Sequence, residues 1–99
     1  MLKCFLYCDI KSLNCSAEDI EKALSDFAVS FIRVNDSIWL FKYTDTFNGY
    51  WESHESYIFN TYFEKFTTDQ SLVLLSRIED RFYYNLPEDC AYYLNSDSP

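Results

Sequence analysis

The sequence predicts an α+β domain: one four-stranded antiparallel sheet, two helices on one of its faces, and a short C-terminal helix. Three observations carry that prediction. Ala28–Tyr43, AVSFIRVNDSIWLFKY, reads as two β-rich runs joined by Asn35-Asp36. Ile20, Ala23, Leu24 and Phe27 repeat at helical spacing behind a capping serine. Ile58, Phe59, Tyr62, Phe63 and Phe66 form a second apolar helical stripe.

Leu2–Asp9 alternates as a first strand, with Leu2, Cys4, Leu6 and Cys8 on one face and Lys3, Phe5, Tyr7 and Asp9 on the other. Lys11–Cys15 is a loop. Ser16 is an N-cap residue and Asp19, three positions on, approximates a capping box; Glu18 and Asp19 suit the positive end of the helix dipole. Glu21, Lys22, Ser25 and Asp26 point to water. Val29–Val34 and Ser37–Tyr43 form the hairpin. A two-residue type I′ loop sets Val34 opposite Ser37 and Phe31 opposite Leu40. Ile32, Val34, Trp39 and Phe41 then share one face, and Phe31, Arg33, Ile38, Leu40 and Lys42 the other.

Thr44–Glu52, which holds the only glycine, is a loop, and a second helix runs from Ser53 to Phe66. Ser71–Ile78 is the last main strand, with Leu72, Leu74 and Ile78 on one face and Val73, Leu75 and Arg77 on the other. Glu79–Asn85 is an irregular connection with a short strand at Phe82–Tyr84. Pro87 fits the first turn of a helix over Glu88–Leu94. Residues 1–94 make a single domain and Asn95–Pro99 a frayed tail. The order β-α-β-β-α-β is that of the ferredoxin-like split-βαβ sandwich.

The 99 residues are 48% hydrophobic and 20% aromatic, which excludes a disordered chain. One glycine and two prolines leave no material for a glycine-rich phosphate loop. The formal charge of −8 repels phosphate backbones and favours basic partners or nucleic-acid mimicry. The opening MLKCFLYCDIK is too short and polar for a signal peptide or a membrane span, and no other stretch is apolar for long enough. A cytoplasmic location follows, with no membrane partner and with the four cysteines as reduced thiols.

The nearly uncharged sheet face (Leu2, Cys4, Leu6, Cys8, Ile32, Val34, Trp39, Phe41, Leu72, Leu74, Ile78) is assigned to the helices. The opposite face collects Lys3, Phe5, Tyr7, Phe31, Arg33, Leu40, Lys42, Val73, Leu75 and Arg77, four of the eight basic residues interleaved with aromatics. An open apolar face of this size needs a cover. A homodimer packed sheet to sheet or edge to edge, with the C-terminal segment over part of the face, supplies one. A platform for nucleic acid, with rings stacking on bases and cations on phosphates, is the sharper reading, which the net charge opposes. The expected interface residues are Phe5, Tyr7, Phe31, Arg33, Lys42, Arg77, Tyr92 and Tyr93.

Short stretches of the chain resemble a known group. They are Tyr7-Cys8-Asp9-Ile10, Asp36-Ser37-Ile38-Trp39-Leu40, Ser71-Leu72-Val73-Leu74-Leu75 and Asn85-Leu86-Pro87-Glu88-Asp89-Cys90-Ala91-Tyr92-Tyr93-Leu94. Together they resemble the small proteins related to the CRISPR adaptation protein Cas-two, including the SinR-like proteins and, more distantly, the VapD toxins. The resemblance implies a ferredoxin-like homodimer. It also implies, for nuclease members, a strand-end aspartate holding a divalent metal near the two-fold axis. Asp9 occupies that position here. Two copies would bind Mg²⁺ and activate water for phosphodiester cleavage of RNA or DNA. The strong acidity and Cys8 just before Asp9 depart from that pattern. The alternative for Asp9 is a strand-end carboxylate capping the Lys11–Asn14 loop.

Other candidates read as structural. Cys4 and Cys8 lie roughly 13 Å apart on an extended strand, too far for a disulfide or a shared zinc, so they are small buried hydrophobes. Cys15 and Cys90 are the exposed thiols. His54 is an exposed first-turn residue of the second helix. Glu79-Asp80 and Glu88-Asp89 are solvated acidic pairs. Trp51, Tyr57, Tyr62, Tyr83, Tyr84, Tyr92 and Tyr93 exceed what a small core needs, which places some of them at an interface. The leading functional expectation is a non-catalytic, homodimeric interaction module with no required cofactor. Glu18, Asp19, Glu21 and Asp26 form its acidic surface toward a basic or nucleic-acid-binding protein. A metal-dependent nuclease using Asp9 is the alternative.

Overall fold

The computed structural model describes residues 1–44, 46, 49–78 and 85–98. Seven elements follow in order: β1 (Leu2–Cys8), α1 (Ala17–Phe27), β2 (Ser30–Arg33), β3 (Ile38–Tyr43), α2 (Trp51–Ile58), β4 (Val73–Arg77) and α3 (Glu88–Asn95). The strands form one antiparallel sheet in the order β2-β3-β1-β4. Glu79, Asp80 and Phe82–Tyr84, and with them the short strand expected there, lie outside the described residues.

Helix α1 begins as its sequence dictates. The Ser16 hydroxyl accepts from the Asp19 backbone N–H at 3.3 Å, and the Asp19 carboxylate accepts from the Ser16 backbone N–H at 2.9 Å. This reciprocal pair satisfies two of the donors that a helix start leaves open. Accepting those bonds holds the Asp19 carboxyl below its usual range. Ile20, Ala23 and Leu24 are buried against the sheet. Phe27 sets its ring edge-on to Phe41 at 5.5 Å and to Phe63 at 5.8 Å, joining α1, β3 and the second helical segment.

That second segment starts two residues earlier than expected and is not a uniform helix. Trp51–Ile58 is α-helical, Phe59–Phe63 forms a π turn, and Glu64–Phe66 closes as a 3₁₀ turn. The wide turn is marked by the Glu64 N–H donating to the Phe59 carbonyl, five residues back. Ile58 and Phe63, also five apart, are both buried.

The phase of two strands differs from the sequence expectation. Phe31 pairs with Phe41 and Arg33 with Trp39, so β2 is shifted by one residue against the expected register. The cause is the loop. Asn35 accepts from the N–H groups of Ser37 (2.8 Å) and Ile38 (2.9 Å) through its side chain, and Val34 pairs with Ile38 across three residues rather than two. No non-glycine residue among those described adopts positive φ, so the type I′ turn does not form. In β4, Cys8 pairs with Val73, Leu6 with Leu75 and Cys4 with Arg77. A strand apolar on both faces carries no alternation to fix its phase. Here the loop before it does so: Ser12 accepts at its hydroxyl from Leu72 N–H and at its carbonyl from the Ser71 hydroxyl.

The helix-side face therefore holds Cys4, Leu6, Cys8, Phe31, Arg33, Trp39, Phe41, Val73, Leu75 and Arg77. The other face holds Lys3, Phe5, Tyr7, Ile32, Leu40, Lys42 and Leu74. The phase of β1 and β3 is the one their alternation predicts; β2 and β4 are each turned over. Helix α3 lies on the second face, where Cys90 and Leu94 pack with Leu40. Pro87 stands at its N-cap, not inside its first turn.

Candidate functional site

The basic-aromatic platform expected from the sequence is not assembled. Arg33 and Arg77 sit on the helix side while Lys42, Phe5 and Tyr7 sit on the other. Arg33 lies 5.1 Å over the Trp39 ring and donates to the Asn35 carbonyl at 2.9 Å, so it fastens its own hairpin. Phe31 packs on the main core. Lys42 is only 2% exposed. Its ammonium donates to the carbonyls of Ser96 (3.0 Å) and Ser98 and lies 4.4 Å over the Tyr93 ring. Burial, and then Lys3 across the strand pair, hold its pKa below the ordinary lysine range, against the pull of Asp97. The Tyr93 hydroxyl is hydrogen-bonded to Ser30 at 2.7 Å, whereas neighbouring Tyr92 is 75% exposed.

What remains open lies at the other edge. Helix α3 covers the β2–β3 half of its face, and strand β4 is an outer strand of the sheet. Leu72 is 58% and Leu74 62% exposed there. A groove of about 320 Å³ runs beside the strand, lined by Glu55, Ser56, Phe59 and Asn60 on the helical side and Val73, Leu74 and Leu75 on the strand. An edge strand offers unpaired main-chain donors and acceptors, and apolar residues beside them favour pairing with another chain. The sequence expectation places Leu72 and Leu74 on the helix-covered face; in the fold both are exposed. The run Leu72-Val73-Leu74-Leu75, apolar at every position, was the signal that one side needed a second partner.

On α1, Glu18, Asp19 and Asp26 are exposed. Glu21 is half-buried, and its carboxylate accepts the Trp39 indole N–H at 3.0 Å. Asp9 follows β1 and is the N-cap residue of a 3₁₀ turn at Ile10–Ser12. The turn is closed by its backbone carbonyl, which accepts from Ser12 N–H and hydroxyl, and its side chain makes no capping bond. The alternative role of Asp9 as a side-chain cap is thereby corrected. Asp9 opens on a depression of about 400 Å³ lined by Lys11, Ser12, Leu13, Asn14, Thr68 and Gln70. Among the described residues no group of three His, Cys, Asp or Glu converges on a point.

The remaining candidates are placed as follows. Cys4 and Cys8 are fully buried and their thiols are pushed up to about 12, chiefly by burial. Cys90, expected at the surface, is buried under α3, and Cys15 is half-buried. His54, expected to be exposed, is half-buried with Nδ1 3.4 Å from the Tyr43 hydroxyl. Among the described residues no helix is long and apolar enough to cross a membrane. Comparison of the chain with protein-family models, with curated proteins and with solved structures found no match.

Proposed function

We propose that this protein is a non-catalytic interaction module. It is a ferredoxin-like subunit that works as a homodimer and presents an acidic exterior to a basic or nucleic-acid-binding protein, as an inhibitor or nucleic-acid mimic. One observation carries the reading: Glu18, Asp19 and Asp26 stand exposed along one helix, while Lys42 is enclosed. The order β-α-β-β-α-β, with β1 and β3 central, supports the ferredoxin-like assignment, as does the resemblance to Cas-two-related proteins. The outer position of β4 among the described strands, with Leu74 and the preceding Leu72 exposed, supports dimerisation through that strand.

The Asp9 nuclease is the second reading, favoured by a strand-end carboxylate that makes no capping bond beside an open depression. One set of measurements decides between them. Light scattering of the wild type is expected to give a dimer, and of Leu74→Lys a folded monomer. Basic proteins are expected to be retained by the wild type and released by the triple change of Glu18, Asp19 and Asp26 to their amides. A wild-type monomer, or retention unchanged by the triple change, sinks the interaction reading. Mg²⁺-dependent cleavage of labelled RNA or DNA that Asp9→Ala abolishes replaces it with the nuclease.

A further inference from the structure

The buried apolar residues fall into two clusters with no member in common. The larger unites α1, the second helical segment and one face of the sheet through Leu6, Leu24, Phe41, Ile58 and Phe63. The smaller holds Leu40, Cys90 and Leu94, with Phe5, Ile32 and Tyr93 packed against it. The central sheet separates them. Helix α3 has eight residues, too few to persist in water without its packing. Among the described residues, its buried side chains Cys90 and Leu94 pack in the smaller cluster.

Lys42 is the only buried charged side chain among the described residues. Among the described residues, its ammonium meets one stretch of chain: the Tyr93 ring and the carbonyls of Ser96 and Ser98. Tyr93 is fixed in turn by Ser30. Ser96 is the C-cap of α3, at the negative end of the helix dipole, where a cation is favoured. Lys3, directly opposite Lys42 in the β1–β3 pair, adds like-charge repulsion that those carbonyls offset.

We propose that Glu88–Ser98 is a cover that opens and closes over the sheet as its own cooperative unit, with Lys42 as its catch. Opening releases the smaller cluster and exposes Phe5, Ile32, Leu40 and Lys42, while the larger cluster stays intact. Regions with few buried contacts open at lower free energy than the global transition. Closed, the cover withholds a cationic, apolar strip from the exterior; open, it presents that strip.

The cysteines report the motion. Cys90 lies on the cover, Cys4 and Cys8 lie in the larger cluster, and half-buried Cys15 serves as the fast reference. In the full-length protein, thiol alkylation followed by peptide mass spectrometry gives each rate. Cys90 is expected to react well before Cys4 and Cys8, with a weaker dependence on urea. Tyr93→Ala and, independently, Lys42→Met are each expected to accelerate Cys90 about tenfold while Cys4 changes by less than about twofold. A Cys90 rate equal to that of Cys4 in every variant makes the molecule one unit and overturns the proposal. A Cys90 rate unchanged or slowed by Lys42→Met overturns the catch.

Discussion

Trp39 donates its indole N–H to the Glu21 carboxylate across the interface between β3 and α1, at 3.0 Å. Trp39 is fully buried, so this acceptor is the one polar service its ring receives from the helix. The bond also explains why an acidic residue on the apparent outer side of α1 is turned toward the sheet. Glu21→Ala is expected to lower stability by about 1–3 kcal/mol, because it strands a buried donor. Glu21→Gln keeps an acceptor oxygen and is expected to cost about 1 kcal/mol or less. Urea midpoints at constant m-value test both, and equal losses for the two would remove the hydrogen bond as the cause.

The hairpin register hangs on Asn35. Its side-chain oxygen accepts from two successive backbone N–H groups, a job that alanine leaves to water. Asn35→Ala is expected to destabilise the fold by about 0.5–1.5 kcal/mol. Cross-strand NMR contacts should place Phe31 opposite Phe41; contacts of Phe31 to Leu40 as its direct partner would restore the two-residue turn.

Alkaline sensitivity follows from the two core thiols. Burial, the largest cause in both, pushes Cys4 and Cys8 from 9.0 up to about 12. In the unfolded chain they ionise near 9.0, so between that pH and about 12 the unfolded state releases protons the folded state keeps. Stability is fully present below pH 9 and is lost as pH rises toward 12, by several kcal/mol on the order-of-magnitude scale of about 1.4 kcal/mol per pH unit and thiol. Urea titrations at pH 8 and pH 10.5 are expected to diverge for the wild type. In Cys4→Ala/Cys8→Ala the divergence should shrink, whatever the lower starting stability of that variant. An undiminished divergence would assign the alkaline loss to the tyrosines instead.

Legibility in the sequence tracked how strongly each element enforces one conformation. The α1 cap was readable because Ser16 and Asp19 carry their partners at fixed spacing. Strand β1 was readable because Cys4, Leu6 and Cys8 alternate with Lys3, Phe5 and Tyr7. The β2 phase was not, since Asn35-Asp36 favours a tight turn only if both residues take positive φ, and a side-chain acceptor offered an unstrained route. The β4 phase was hidden by an uninterrupted apolar run. The turned phases of β2 and β4 put Arg33 and Arg77 on the helix side, so the cationic surface expected from the sequence is divided between two faces. The engagement of Lys42 depends on Tyr93, Ser96 and Ser98, more than fifty positions away, and no local pattern announces it.

The π turn at Phe59–Phe63 has a bearing on chain length. Two core side chains, Ile58 and Phe63, are anchored five positions apart, while Asn60 and Thr61 between them face outward. A regular helix meets one face every three or four residues. This segment thus carries one residue of slack, stored as a bulge that neither flank needs. Shortening the chain by Asn60 or Thr61 would convert it to an ordinary helical repeat with both anchors kept. Relatives of this protein with a gap of one would be most readily accommodated here.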